Sequence, residues 1–209
     1  MSANRPFARW LVFGLVLSGI ACLAWSGYAV LTARSYQRTE RAALEQARVE
    51  ESPTLARTEP PPAPAVPRAL STGETIGSLE IPRLRFSAIV AEGDDDGTLK
   101  IAVGHLPDTP LPWSDGNSAL AGHRDGLFRP LEKVRVGDEL NLSTPRGDLR
   151  YRVSDTKIVD PDDLSVLDPG ERPMLTLITC YPFHYIGPAP RRFIVHAEAI
   201  DRPAAPRGM

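Results

Sequence analysis

The sequence predicts an all-β domain that folds as a closed or nearly closed barrel, preceded by a single N-terminal transmembrane helix. Three observations lead to this prediction. Residues 10–31 carry no charge, residues 53–67 are rich in proline, and from residue 75 short runs alternate apolar and polar residues between turn-forming Gly, Pro, Asp and Asn. About eight short strands with few helices are typical of a barrel, and 209 residues suffice for one such domain with accessory segments.

The run Trp10–Leu31 is the candidate membrane anchor. As a helix it would be about 33 Å long, which matches the hydrocarbon core of a bilayer. The alternative is a cleaved signal peptide that ends near Gly27-Tyr28-Ala29, but the run is longer than a usual signal core, which favours the anchor. Arginines flank the run on both sides, so charge does not decide the orientation: Arg5 and Arg9 precede it, and Arg34, Arg38 and Arg41 follow.

The segment after the anchor is predicted to be a stalk and linker, residues 32–74. Residues 32–50 are rich in Ala, Arg, Glu and Gln and extend the membrane helix. The prolines of 53–67 exclude a helix or a central strand, so this part is an extended spacer that would hold the next domain away from the bilayer. The folded domain is assigned to residues 75–202, with residues 1–9 before the anchor and a disordered tail at 203–209.

Within the folded domain the alternating pattern predicts eight strand-like runs and two short helices. A hairpin is expected at 145–148, and the acidic residues 94–96 are interpreted as the charged start of the first helix rather than a metal site. The runs are 77–81, 86–90, 119–122, 139–142, 149–153, 157–159, 174–179 and 192–197, and the helices are 96–103 and 127–134.

Composition excludes several classes of function. The net charge is −2 and no cluster of Lys and Arg occurs, so we expect no nucleic-acid partner. The two cysteines, Cys22 and Cys180, cannot build a disulfide framework or a cysteine-rich zinc site, and we expect no metal or cofactor. A lone Cys in the folded domain is either a small buried residue or a reactive thiol.

Three chemically reactive residue types lie at predicted strand ends. Cys180 ends the most apolar run, His123 follows the run 119–122, and Arg191-Arg192 opens the last run. Strand ends hold side chains rigidly at the rim of a sheet, as a catalytic site requires. Among the other histidines His105 is the main competitor for a catalytic role, because it also follows a glycine; His184 lies in a loop and His196 on the last strand.

The segments AGHRDGLFRPLEKVRVGDEL, LITCYPF and YIGPAPRRFIV resemble the sortases, specifically class D, and the likeness extends over about 76–200. The resemblance implies an eight-stranded barrel and a cysteine transpeptidase. It assigns Cys180 as nucleophile, His123 as general acid/base and Arg192, with Arg191 as the alternative, as the oxyanion-stabilising residue. Thr179 is a candidate substrate contact.

The resemblance also implies the reaction and its location. The thiol would cleave an LPxTG-like sorting signal of a secreted protein after its Thr, and the thioacyl-enzyme would pass the protein to an amine acceptor. The acceptor would be a peptidoglycan precursor or another protein. The enzyme would be a single-pass protein of the bacterial cytoplasmic membrane with its catalytic domain outside.

Two alternative interpretations remain open. The first is another cysteine peptidase that acts on cell walls, although papain-like enzymes place Cys before His and this chain has the reverse order. The second is a non-catalytic, membrane-tethered barrel that binds peptides or proteins. A zinc enzyme is disfavoured because His105 and His123 lie in separate segments without a second ligand pair at zinc-site spacing.

Overall fold

The computed structural model describes residues 5–50, 70–169 and 172–201. These ranges form a long N-terminal helix, α1 (Arg5–Glu50), and a strand-rich domain that contains one further α-helix, α2 (Asp96–Ile101). Three 3₁₀ turns lie at Pro82–Leu84, Arg129–Lys133 and Leu164–Leu167. The strands are β1 (Thr75–Ile81), β2 (Phe86–Glu92), β3 (Val103–His105), β4 (Asn117–Ala121), β5 (Glu139–Thr144), β6 (Gly147–Val159), β7 (Met174–Tyr181) and β8 (Arg191–Asp201). The predicted Pro-rich spacer and the predicted tail lie outside the described residues.

The strands close into a barrel in the order β1-β2-β3-β4-β7-β8-β6-β5. The pairs β2–β3 and β4–β7 are parallel and the others are antiparallel, and the pairing of β1 with β5 completes the ring. A closed ring leaves no edge strand with a row of unpaired backbone groups. The prediction of an all-β barrel preceded by an apolar helix is confirmed.

Alternating apolar residues fill the barrel interior. Leu79 of β1, Leu142 of β5 and Leu177 of β7 are fully buried, and neighbours of the same kind on the other strands join them in one core. Burial of each such side chain stabilises the folded state by about 1.5–3 kcal/mol relative to an exposed side chain. The period-2 pattern that predicted the strands therefore has its cause in this core.

Two strand predictions differ from the structure. The runs 149–153 and 157–159 belong to the single strand β6, because a bulge between Val153 and Asp155 interrupts the alternation while the pairing with β8 continues. Strand β3 was missed, since its three residues are too few to show alternation and the predicted helix was extended to residue 103. The predicted hairpin is confirmed, with Thr144 paired to Gly147.

The two predicted short helices have different outcomes. The first is α2, and Asp95 caps its N-terminus by accepting hydrogen bonds from the backbone N–H groups of Gly97 (2.8 Å) and Thr98 (3.2 Å). The Thr98 hydroxyl also donates to Asp95, and these bonds hold the pKa of its carboxyl below the usual value. The segment 127–134 forms only the 3₁₀ turn Arg129–Lys133, a usual conformation for so short a helix.

Helix α1 contains the apolar span. Among the described residues it is the one helix long and apolar enough to cross a membrane; its candidate region is Phe13–Leu44, within which an 18-residue window has a mean hydropathy of 1.7. The helix is continuous through residue 50, so the predicted extension of the span by a polar helical segment agrees with the structure.

The polar part of α1 contacts the barrel through Gln37. Its side-chain Oε1 accepts a hydrogen bond from the backbone N–H of Ile89 on β2 (2.7 Å), and its Nε2 donates to the carbonyl of Ile101 at the end of α2 (2.6 Å). Ile89 lies between the core-facing residues Ala88 and Val90, so its side chain points outward, yet it is fully buried. Helix α1 contacts β2 and thereby covers this part of its outer face.

We predict that Gln37→Ala destabilises the domain. The variant leaves the Ile89 N–H without its acceptor under α1, which should lower the free energy of unfolding by about 1–2 kcal/mol. Urea unfolding of the full chain in micelles, followed by tryptophan fluorescence, measures this difference. The control Gln46→Ala, at an exposed position of the same helix, should change it by less than about 0.5 kcal/mol. Equal effects of the two substitutions would contradict the contact.

Candidate active site

The strands that carry the predicted His and Cys lie side by side. β4 and β7 are parallel, with Leu120 opposite Leu177 and Ala121 opposite Ile178. The carboxyl ends of neighbouring parallel strands reach the same rim of a barrel. The residues that follow β4 therefore meet the last residues of β7.

Two hydrogen bonds continue this contact beyond the end of β4. The Gly122 N–H donates to the Ile178 carbonyl (3.1 Å), and the Thr179 hydroxyl donates to the Gly122 carbonyl (2.7 Å). Gly122 also packs against the ring of Phe128, where a Cβ would come within 2.7 Å of a ring carbon. Only glycine fits between β7 and this ring, and His123 follows it directly.

The residues around His123 form a tight turn. The His123 carbonyl accepts hydrogen bonds from the N–H groups of Gly126 and Phe128, both at 3.1 Å, and Phe128 is fully buried. Leu120 of β4 faces the core, so Ala121, the last residue of the strand, faces outward, and His123 follows two residues later. The turn fixes the backbone of His123, whose side chain is partly exposed.

Cys180 and Arg192 are directly opposite each other on β7 and β8. Leu177 on β7 and Val195 on β8 face the core, so alternation turns both Cys180 and Arg192 to the outer face. Directly opposite residues of an antiparallel pair have Cβ atoms about 4.5–5.5 Å apart. Both side chains are partly exposed, so solutes can reach them.

The register distinguishes the two arginines. Arg191 is opposite Tyr181 and alternates to the other face of β8, away from Cys180. Its Nε lies 3.8 Å from a carboxylate oxygen of Asp160. The Arg192 Nη1 donates to the carbonyls of Arg191 (3.1 Å) and Ala189 (3.4 Å), which orients the guanidinium at the strand start. The geometry favours Arg192 as the partner of Cys180.

Thr179 has a different environment from the one expected of a substrate contact. Its side chain is 2% exposed, and its hydroxyl is the donor to the Gly122 carbonyl. We therefore interpret Thr179 as the link between the two site segments rather than as a substrate-binding side chain. Its position beside Cys180 in the sequence suggested proximity to the site but not this role.

The main competing histidine, His105, is a structural residue. It is 1% exposed, its Nδ1 lies 2.8 Å from a carboxylate oxygen of Glu92, and its Nε2 lies 3.1 Å from the Pro110 carbonyl. A buried ring with both nitrogens hydrogen-bonded cannot reach a substrate. His184 is exposed in the loop after β7, as predicted.

The 3₁₀ turn Leu164–Leu167 partly covers the outer face of the sheet near the start of β7, at the end of that strand away from Cys180. The Val166 carbonyl accepts a hydrogen bond from the Asn117 side chain (3.1 Å) and lies 3.1 Å from Nε2 of His196. Asn117 lies at the start of β4, and His196 belongs to β8. These two residues hold the segment before β7 over this part of the outer face, a role that the sequence pattern did not indicate because their partner is a backbone atom.

No group of three or more His, Cys, Asp or Glu side chains within the described ranges is placed to hold a metal ion.

Comparisons with known proteins point to one family. Residues 79–200 match the family model of the sortase domain. The chain is 40% identical over 130 residues to sortase D of Bacillus subtilis (strain 168), covering 62% of this chain and 66% of the relative. It is 32% identical over 109 residues to sortase A of Listeria monocytogenes, covering 50% of this chain and 49% of the relative. The matches thus span from about half to about two thirds of the lengths of these relatives.

A solved structure shows the same fold. The structure of Clostridium perfringens sortase C with the C-terminal cell wall sorting motif superposes with a TM-score of 0.58 at 31% sequence identity. The match covers 63% of this chain and 74% of that one.

We predict that the Thr179–Gly122 hydrogen bond stabilises the site. Thr179→Val keeps the shape of the side chain but removes the donor, which should lower the free energy of unfolding by about 1–3 kcal/mol because the acceptor is buried. Thr179→Ser keeps the hydroxyl and should retain most of the stability. Chemical unfolding of the three proteins measures the difference, and a Val variant as stable as the wild type would refute the role.

Proposed function

Because this chain belongs to the sortase family, we propose that it is a membrane-anchored cysteine transpeptidase that cleaves an LPxTG-like sorting signal after its Thr. The observation that supports this most is the pairing of Cys180 with Arg192 on the outer face, beside the strand that leads into His123. Sorting-signal recognition is carried over from relatives, one of which was solved with a sorting motif.

The proposed first step is acyl transfer to the thiol. The Cys180 thiolate attacks the Thr carbonyl carbon of the signal, and the tetrahedral intermediate collapses with loss of the following residue as an amine. His123, as the imidazolium, gives its proton to that leaving amine. The product is a thioester between Cys180 and the Thr carbonyl, which splits one hard reaction into two easier ones.

The proposed second step releases the product. An amine acceptor, a peptidoglycan precursor or another protein, loses a proton to His123 and attacks the thioester carbonyl. The C–S bond breaks, an amide forms and the thiolate of Cys180 is regenerated. Both residues return to their starting protonation states, so the cycle needs no other reactant.

Arg192 is proposed to stabilise the oxyanion in both steps. Its guanidinium carries five N–H donors, and its bonds to Arg191 and Ala189 described above involve Nη1 alone. Donors held by a strand need no reorganisation when charge develops on the carbonyl oxygen, which is the condition under which such donors are most effective.

The proposed location is the outer face of the bacterial cytoplasmic membrane, with α1 as a single-pass anchor. Gln37 contacts the barrel only six residues after Leu31, the end of the predicted span, a rise of about 9 Å along a helix. We therefore place the barrel close to the bilayer surface rather than at the end of an extended spacer.

The full chain in micelles, given an LPxTG-type peptide and an excess of a small amine, tests this function. Mass spectrometry should detect a thioacyl adduct on Cys180 and an amide product that ends at the Thr of the signal. Cys180→Ala should abolish both, and Arg192→Gln should lower kcat by about 10²–10³-fold through loss of an oxyanion donor. Arg191→Gln, the matched control, should retain most of the activity. Undiminished product formation by Cys180→Ala would contradict the proposal.

A further inference from the structure

Arg124, the residue directly after His123, donates hydrogen bonds to three backbone carbonyls of the loop of residues 182–190 between β7 and β8. Nη1 donates to Pro182 (3.1 Å), and Nη2 donates to Tyr185 (2.8 Å) and Gly187 (3.0 Å). The guanidinium carbon also lies 5.7 Å from the centre of the Tyr185 ring. One side chain thus holds the first six residues of this loop.

Phe183 fixes the start of the loop, because its ring is buried in the core with its centre 5.3 Å from that of Phe193. Beyond Phe183 the loop has few other contacts. Residues 184–188 are all exposed, and Ile186 is completely accessible to solvent. A segment with few buried apolar contacts opens at low cost unless polar contacts fix it. A second contact joins the same two segments: His184 Nε2 lies 2.8 Å from the Glu132 carboxylate, and Arg129 donates to His184 Nδ1 at 3.0 Å. That contact is exposed, as are the Arg124 bonds to Tyr185 and Gly187, whereas the Arg124–Pro182 bond is partly buried.

Hydrogen bonds connect the segments of His123 and Cys180 on both sides of these two residues. On one side of His123, the Gly122 carbonyl is bonded to Thr179, the residue before Cys180. On the other side, Arg124 is bonded to Pro182, two residues after Cys180. The segments that carry His123 and Cys180 are therefore tied together both before and after the reacting pair.

We propose that Arg124 is a positioning residue that fixes the distance between His123 and Cys180 by holding the 182–190 loop against the segment after β4. This inference rests on the proposed transpeptidase function. A displacement of about 1 Å between reacting groups lowers a rate by about 10²-fold, so a bond that couples the two segments acts on the chemical step more than on substrate binding.

The fork shape of the guanidinium is central to this role. Two nitrogens of one rigid plane serve three carbonyls, whereas the ammonium of a lysine is a single point charge on a flexible stem. Arg124→Lys therefore keeps the positive charge but removes the planar arrangement of donors. Arg124→Gln removes both, and Arg152→Gln is the matched control, because Arg152 forms an exposed ion pair with Glu139 at 3.0 Å on strands away from the site.

The experiment uses the full chain in micelles with an LPxTG-type peptide. Single-turnover release of the leaving fragment should slow by about tenfold or more in both Arg124 variants, while KM stays within about threefold. Chymotrypsin cleavage after Tyr185, followed by mass spectrometry, should be about tenfold faster in both variants because the loop is released. Arg152→Gln should match the wild type in every measurement, and thermal unfolding reports whether each variant is folded.

Three results would overturn the inference: a single-turnover rate of Arg124→Gln within about twofold of the wild type, restoration of that rate by Arg124→Lys, or unchanged cleavage after Tyr185. Should Arg124→Gln fail to fold, Arg124→Lys carries the same test. A wild-type chain that does not cleave the peptide refutes the proposed function instead. The cleavage after Tyr185 needs no substrate and then still decides whether Arg124 holds the loop.

Discussion

The parallel contact between β4 and β7 is the constraint on which the rest of the site depends. β4 ends at Ala121, but the two hydrogen bonds of Gly122 carry the contact one residue further, to the residue before Cys180. A side chain at position 122 would collide with Phe128, so the contact requires glycine there. His123 and Cys180 are 57 positions apart in the chain, and this short contact is what brings their segments to one rim.

The antiparallel contact of β7 with β8 adds the third residue. Because side chains alternate along a strand, one register decides that Arg192 shares the outer face with Cys180 and that Arg191 does not. A shift of one residue would exchange the two arginines. Closure of the barrel opposes such a shift, since β8 is also paired with β6 along most of its length.

The sequence predicted the reactive residues of this site better than the strand register and hydrogen bonds that bring them together. Strand ends marked Cys180 and His123, because the apolar runs stop there, with Gly122 directly before His123 and Pro182 two residues after Cys180. The choice between Arg191 and Arg192 needed the register, which depends on pairing between distant segments. The roles of Thr179 and Arg124 could not be predicted, because their partners are backbone carbonyls that carry no residue-specific signal. Strand β3 could not be predicted for a similar reason, because its three residues are held in a strand by pairing with β2 and β4 on either side.

The fold illustrates a related limit. Eight runs were predicted and the described part of the chain contains eight strands, but the agreement in number conceals two compensating differences. The bulge in β6 divided one strand into two runs, while β3 showed no alternation. Tertiary pairing, rather than local sequence, sets the bounds of both elements.

The proposed site requires that the Arg192 guanidinium, and not that of Arg191, faces the sulfur of Cys180. The most direct measurement is the rate at which Cys180 reacts with an anionic and with a cationic methanethiosulfonate, in a Cys22→Ser background. The ratio of the two rates cancels any change in thiolate fraction and reports the local charge. Arg192→Gln should lower the anionic-to-cationic ratio by about fivefold or more, and Arg191→Gln should change it much less. An equal or larger effect of Arg191→Gln would contradict the account.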